Sequence, residues 1–214
     1  DGLMLLKNHA NLDFNMIYYN SDGNESSMCG NGGRCIVSFA KKLGIFAEET
    51  NFSAIDGIHK AKINADDSIS LKMQNVTSVN KVNSNFFLNT GSPHYVTFKD
   101  KVKEIDVYNR GKEIRYSKEF SPDGTNVNFV EIQEDNIFVR TYERGVEKET
   151  GACGTGAVAT AITAVEESNL RFPVSIIPTS GEKIIIDKKI DVKKGTKFHL
   201  IGPAIILEEK EIEV

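Results

Sequence analysis

Two cysteines stand in near-twin settings, Met28-Cys29-Gly30-Asn31-Gly32-Gly33 and Ala152-Cys153-Gly154-Thr155-Gly156-Ala157. Each is followed by glycines and then by an apolar run of helical character. A thiol at a helix start meets the positive end of the helix dipole and unpaired backbone N–H groups, which favour its ionised form. The same N–H groups bind anions. Two such positions, one in each half of the chain, read as a reaction centre held between two thiols. A thiol pair flanking one carbon removes a proton from one face and returns one to the other, which is the chemistry of a two-base racemase or epimerase. One thiol must be ionised while the other is protonated, so their titrations are coupled. N–H groups placed where negative charge develops stabilise a carbanion-like transition state, with the substrate carboxylate held at the helix ends. No lysine stands in a recognisable pyridoxal motif, so no cofactor is expected.

Other residues leave alternatives open. Glu143-Arg144 follows a strand-like run and precedes the second cysteine. It reads either as a solvated charge pair or as a substrate clamp, Arg holding a carboxylate and Glu an ammonium. Ser92-Pro93-His94 is a turn on its own terms, with His94 structural or catalytic. Cys35, inside a helical face, reads as a small buried hydrophobe. No metal site is expected: there is no Cys-x-x-Cys, and His9, His59, His94 and His199 lack ligand spacing. Neither glycine cluster matches a phosphate-binding loop.

Elements must position these residues. Gly30 to Gly33 lead into residues 34–43, where apolar positions 35, 36, 39, 40 and 43 fit one helical face and Gly44 suits a stop. After Gly154 to Gly156, residues 157–165 are apolar or small nearly all round, the mark of a buried helix. Most of the remainder reads as strand: 68–73, a hairpin of 126–132 and 136–142, then 174–177, 183–186, 197–201, 204–207 and 211–214. Gly57, Gly91, Gly124, Gly181 and Gly202 punctuate them. Asn20 lies nine residues before Cys29, and Arg144 nine before Cys153. The fold class expected is α+β, with two pseudo-symmetric halves, each a curved, mostly antiparallel sheet wrapped round one central helix. Between Asn80 and Cys153 lie 73 residue steps, whereas 28 residues precede Cys29; the repeat predicts about 45 residues upstream of Asp1.

Bulk properties set limits. The 214 residues suffice for one large domain or two small ones. With 40% hydrophobic and 26% charged residues, the chain reads as an ordinary soluble globular protein. A net charge of −4 and a pI of 5.7 argue against a general nucleic-acid binder. No apolar run approaches the ~20 residues that span a bilayer, so no membrane partner is expected. Three cysteines without a pairing pattern are no disulfide framework, and no basic-then-apolar leader opens these residues. The setting expected is reducing and cytoplasmic.

The motifs, in order, resemble the diaminopimelate epimerase family: Asn20-Ser21-Asp22-Gly23, residues 28–35, Thr90-Gly91-Ser92-Pro93-His94, Asn126-Val127-Asn128-Phe129, Tyr142-Glu143-Arg144-Gly145, residues 152–156 and Gly202-Pro203-Ala204. The resemblance implies a pyridoxal-independent interconversion of L,L- and meso-2,6-diaminopimelate, with Cys29 and Cys153 as catalytic acid/bases. It implies that Gly30, Asn31, Gly154 and Thr155 hold the carboxylate at the reacting centre, and that Asn20, Ser92, Asn126 and Arg144 grip the distal end. Glu143 and His94 would sit beside the thiols and orient the substrate. Turn-prone polar residues at Val76 to Asn80 set the expected seam, with halves at 1–76 and 77–204; the resemblance further implies a homodimer and a strand at 205–214 returning to the first half. Three departures stand out. The family's Gly-Leu-Gly-Asn-Asp-Phe region does not occur here, Ser92 replaces a common Asn, and the Arg144-to-Cys153 stretch is one residue longer than usual.

Two rival readings remain. A proline or hydroxyproline racemase shares thiol pairs, but Asn31, Asn126 and Arg144 favour a longer, doubly charged substrate. A non-catalytic amino-acid-binding relative would keep the scaffold without the proton transfer.

Overall fold

Strand periodicity is set by which alternate side chains reach a core. In β1 (Leu3–Lys7) and β2 (Phe14–Tyr19) it appears as Phe14 and Met16 pointing inward, with Asn15 and Ile17 only half-buried. The structure is a computed structural model and describes residues 2–20, 23–26, 28–191 and 195–210. Ser21 and Asp22 of the quoted motif, and the strand expected at 211–214, lie outside the described residues. The chain divides into two compact units, residues 1–72 with 201–214, and residues 73–200.

The first unit adds β3 (Glu25–Ser26), the helix α1 (Gly30–Lys42), β4 (Glu49–Ala54), β5 (Gly57–Ile63) and β6 (Ile69–Lys72). Its sheet runs β1-β2-β4-β5-β6, with β3 on β2. All these pairs are antiparallel except β2–β4, which is parallel because α1 carries the chain back between them. Phe14, Phe52 and His59 occupy matched positions on β2, β4 and β5; Phe14 and Phe52 stack across the strands at 4.9 Å, and the His59 ring lies tilted against Phe52 at 5.3 Å. Against this sheet α1 buries Ile36, Val37 and Ala40. A Cβ on Gly33 would stand 2.7 Å from both Leu71 and Met28, so glycine lets the helix start lie close to its neighbours. The helix ends as expected at Gly44, in the left-handed region with φ +72°.

The helical face differs from the expected one. Cys35 and Phe39 are exposed, as is Leu43 just past the helix. Successive residues turn by about 100°, and the stripe is fixed by Gly32, Gly33, Ile36, Val37 and Ala40. Cys35 therefore rotates outward and is no core thiol. The strand expected at 204–207 is likewise not formed. Pro203 has no N–H to offer a ladder. The Pro203 and Ala204 carbonyls accept from Arg34 Nε at 3.0 Å and Ser38 Oγ at 3.4 Å instead of from a strand.

The second unit contains β7 (Val79–Val82), β8 (Asn85–Asn89), β9 (Pro93–Phe98), a 3₁₀ turn at Val102–Glu104, α2 (Val107–Arg115), β10 (Asn126–Ile132), β11 (Ile137–Glu143), β12 (Lys148–Thr150), α3 (Gly154–Glu167), β13 (Val174–Pro178), β14 (Ile184–Asp191) and β15 (Gly195–Gly202). Its sheet runs β15-β14-β13-β11-β10-β9-β8-β7, with β12 on β11. The β9–β10 and β11–β13 pairs are parallel across α2 and α3, and β10–β11 is the expected antiparallel hairpin. The sequence β2-β3-α1-β4-β5 of the first unit is repeated as β11-β12-α3-β13-β14. The fold class is α+β, as the residues predict.

The strand β10 is buried on both faces, with Asn126 to Val130 all covered. Val127 and Phe129 join Tyr95, Val102, Val107 and Tyr142 in one apolar cluster under α2. Asn126 and Asn128 lie on the opposite face, because side chains alternate along a strand. The helix α3 is buried nearly all round, as its small residues require. The approach of α2 to β11 depends on Gly111, where a Cβ would stand 2.4 Å from Tyr142 Cβ. Gly111→Ala gains about 1 kcal/mol of helix propensity but overpacks a rigid contact by about 1–3 kcal/mol. The expected net loss is about 1 kcal/mol in urea unfolding; an unchanged or raised midpoint would contradict this packing.

Candidate active site

A helix begins with N–H groups that have no partner in its own ladder. In the first unit Cys29 takes the capping position of α1, extended at φ −99° and ψ 158°, and its Sγ accepts the Gly32 N–H at 3.2 Å. Gly30 and Asn31 open the first turn. Arg34 is buried and donates from Nη1 to Gly30 O and to Asn31 Oδ1, each at 3.3 Å. The guanidinium thus ties the first turn of the helix to the Pro203 carbonyl. On the other side of Cys29, the Met28 N–H donates to Asp56 Oδ1 at 3.3 Å, an oxygen that also meets His59 Nε2 at 3.0 Å. Asn20 follows β2, its N–H donating to Asn24 O and its carbonyl accepting from the Gly23 N–H.

In the second unit Cys153 takes the same position before α3, and Gly154 and Thr155 open the helix. Its sulfur makes no capping bond to a helix N–H; it lies 3.4 Å from Thr155 Oγ1. Thr155 Oγ1 in turn lies 2.9 Å from His94 Nε2, and the Thr155 carbonyl accepts from Thr90 Oγ1 at 2.9 Å. His94 is fully buried on β9, and its Nδ1 lies 3.0 Å from Asn128 Nδ2. Burial drives its basicity from the usual 6.5 down to about 3, and the Arg144 cation adds to the effect. His94 is therefore a neutral imidazole at physiological pH.

A second chain of bonds binds the remaining motif residues. Asn126 Nδ2 donates to Ser92 Oγ and to Pro93 O, both at 2.8 Å, and Asn126 Oδ1 accepts the Arg144 N–H at 2.8 Å. One buried amide thus fixes the Ser92 turn and the backbone of Arg144. Arg144 Nη1 donates to Asp123 O at 3.3 Å. Glu143 accepts from Thr150 Oγ1 at 2.8 Å; burial pushes its carboxyl up, and the Thr150 bond opposes this. The turn after Arg144 is closed by Glu147, which holds a positive φ of 57°. Its carboxylate accepts from Arg115, from the Gly145 N–H at 2.9 Å and from Tyr142 Oη at 3.2 Å. These contacts accommodate the longer Arg144-to-Cys153 stretch.

Of the residues singled out from sequence, the structure gathers Ser92, His94, Asn126, Arg144, Cys153 and Thr155 into linked hydrogen-bond chains of the second unit. Glu143 is bonded to Thr150 instead. Asn20, Cys29, Gly30 and Asn31 belong to the first unit. Sequence reasoning missed Asn128, Thr141, Arg34 and Glu147. For Asn128 a signal existed, since Asn126 and Asn128 are two apart in an otherwise apolar strand and must share a face. Among the described residues no helix is long and apolar enough to cross a membrane.

Residues 86–206 match the family profile described as diaminopimelate epimerase. The chain is 49% identical over 213 residues to the diaminopimelate epimerase of Flavobacterium psychrophilum, covering 99% of this chain and 83% of that protein. It is 42% identical to the diaminopimelate epimerase of Aquifex aeolicus, covering 91% of this chain and 74% of that one. Among solved structures, a phenazine biosynthesis protein of the PhzF family from Enterococcus faecalis superposes with a TM-score of 0.63 over 95% of this chain and 82% of that chain. At 12% identity this likeness concerns the fold alone. The relatives named diaminopimelate epimerase, at 49% and 42% identity, make this chain an enzyme, an isomerase. The chain belongs to the diaminopimelate epimerase family.

The neutral state of His94 has a measurable consequence. An unfolded histidine takes up a proton near 6.5 and His94 in the fold only near 3, so between these values the unfolded chain binds more protons. The contribution to stability is present above about pH 6.5 and is lost as pH falls towards 3, by up to about 1.4 kcal/mol per pH unit. In His94→Gln the slope of unfolding free energy between about pH 6 and pH 4 should be shallower by up to that amount. Equal slopes in urea titrations would mean that His94 is protonated within the fold.

Proposed function

We propose that this chain interconverts L,L- and meso-2,6-diaminopimelate by a two-thiol mechanism without pyridoxal phosphate, supplying lysine and peptidoglycan precursors. The observation that carries the reading is the duplicated placement of Cys29 and Cys153 at the starts of α1 and α3, each after a matched strand and return strand. In this reading one sulfur, as thiolate, takes the Cα proton, and the other, as thiol, delivers a proton to the opposite face. The N–H groups at Gly30, Asn31, Gly154 and Thr155 hold the neighbouring carboxylate, whose charge grows as the carbanion forms. Arg144 pairs with the distal carboxylate. Asn126 acts by fixing Ser92 and Arg144, and Asn20 contributes from the end of β2. Glu143 receives an ammonium group of the substrate, and a cation there offsets the burial of its carboxylate. The same reading takes the enzyme as a cytoplasmic homodimer.

The test is Cα–H exchange of L,L- and meso-diaminopimelate in deuterated buffer under reducing conditions, followed by NMR. Wild-type protein should exchange both isomers. Cys29→Ala and Cys153→Ala should each lower the rate by about 10²–10⁴-fold, the usual contribution of a general acid or base. Retained turnover in either variant would end the two-thiol mechanism. Exchange of proline but not diaminopimelate would favour the racemase reading, and binding without exchange a non-catalytic role.

A further inference from the structure

The two thiols are wired differently. Cys29 Sγ accepts a helix N–H from Gly32, whereas Cys153 Sγ makes no such capping bond and meets a side-chain hydroxyl. Two residues past Cys29 stands Asn31, whose amide oxygen is held by Arg34. Two residues past Cys153 stands Thr155, which touches a buried histidine. The second unit therefore carries a hydrogen-bond chain with a direction, and that direction is set at its far end.

Thr141 Oγ1 lies 2.9 Å from Asn128 Oδ1, Asn128 Nδ2 lies 3.0 Å from His94 Nδ1, and the same Nδ2 lies 3.4 Å from the Tyr95 carbonyl. Thr141, Asn128 and His94 are all buried. A carbonyl oxygen only accepts, so the group facing Tyr95 O must be the amide nitrogen of Asn128 and not its oxygen. That nitrogen then donates to His94 Nδ1 as well, and the Asn128 oxygen accepts the Thr141 hydroxyl proton. With Nδ1 occupied as an acceptor, a neutral imidazole carries its proton on Nε2. The Nε2–H donates to Thr155 Oγ1, and the hydroxyl proton of Thr155 is left for Cys153 Sγ.

We infer that Asn128, held by Thr141, is a positioning residue that locks His94 in the Nε2–H tautomer and so directs the Thr155 hydroxyl proton onto Cys153. A donor aimed at sulfur stabilises the anion over the thiol. Cys29 has a donor of its own in the Gly32 N–H, so the chain makes the ionisation of Cys153 depend on the Thr155 hydroxyl and the His94 tautomer, where that of Cys29 depends on a backbone N–H. The inference rests on the two-thiol reading above, but its wiring is testable without substrate.

The first experiment is ¹⁵N NMR of histidine-labelled protein between about pH 5 and pH 8, with His94 assigned against a His94→Gln sample. The ring should be neutral with its proton on Nε2 throughout. Asn128→Asp, nearly isosteric, replaces the donor by an acceptor and should place a proton on Nδ1. A wild-type ring that is cationic or protonated on Nδ1, or a ring unchanged in Asn128→Asp, overturns the inference. The second is the pH profile of alkylation of Cys153 by iodoacetamide in a Cys29→Ser/Cys35→Ser background. Thr155→Val should raise the midpoint by about one pH unit, an approximately tenfold loss of thiolate at neutral pH, and Thr155→Ser should restore it. A midpoint indifferent to Thr155→Val also overturns it. Since neither experiment contains diaminopimelate, the wiring and the proposed reaction can fail independently.

Discussion

A helix cannot begin without leaving backbone donors unpaired, and in each unit of this protein a cysteine stands where those donors converge. Everything around α1 and α3 serves to hold that start in place. Glycines at 32 and 33 let α1 approach Met4, Met16, Met28 and Leu71. Gly156 does the same for α3, where a Cβ would stand 2.8 Å from Asn128 Oδ1 and 3.3 Å from His94 Cε1. The small residues after the cysteines are thus not merely permissive turns. At Gly156 a side chain would push the helix start off Asn128, one of the groups that orient it.

The second constraint is that buried polar groups must find partners, since an orphaned one costs about 1–3 kcal/mol. The strand β10 meets it by dividing its faces. Val127 and Phe129 pack under α2, while Asn126 and Asn128 supply donors and acceptors to β9, β11 and the turn at Arg144. Each amide is bonded on both its nitrogen and its oxygen. Such fully satisfied networks specify one arrangement, because shifting any member strands another. Rigidity at Ser92, His94, Thr155 and Arg144 therefore follows from packing that is itself indifferent to substrate.

The residues with local signatures were legible in sequence. The twin Cys-Gly motifs, the amphipathic run before Gly44, the all-small run after Gly156 and the alternation of residues 126–132 each predict an element that is present. What was hidden depends on tertiary partners. The composition of residues 34–43 admits two apolar stripes, and only the closeness of Gly32 and Gly33 to their neighbours chooses the one that leaves Cys35 outside. Residues 204–207 are apolar enough to read as a strand, yet the Ala204 carbonyl is taken by Ser38, 166 positions away, and the Pro203 carbonyl just before it by Arg34, 169 positions away. The helix α2 has a weak apolar pattern of its own, with only Val107 and Gly111 buried, so its place is decided by Tyr142 and the cluster beneath it. Asn128 was quoted as part of a motif, but its partners Thr141 and His94 lie 13 and 34 residues away, beyond any local pattern.

Duplication explains the shared architecture and also frames the asymmetry. Each unit repeats strand, return strand, cysteine, helix and parallel strand, so each offers a thiol the same backbone setting. A two-base reaction cannot use two identical thiols at one moment, because one must hold a proton while the other lacks it. In the proposed reaction side chains supply that difference. In the first unit the position two past the cysteine is an asparagine bound by a buried arginine within its own helix. In the second it is a threonine joined to a neutral histidine and, through it, to β10 and β11. The divergence begins at the cysteines themselves, since Cys29 Sγ accepts the Gly32 N–H while Cys153 Sγ makes no capping bond and meets the Thr155 hydroxyl.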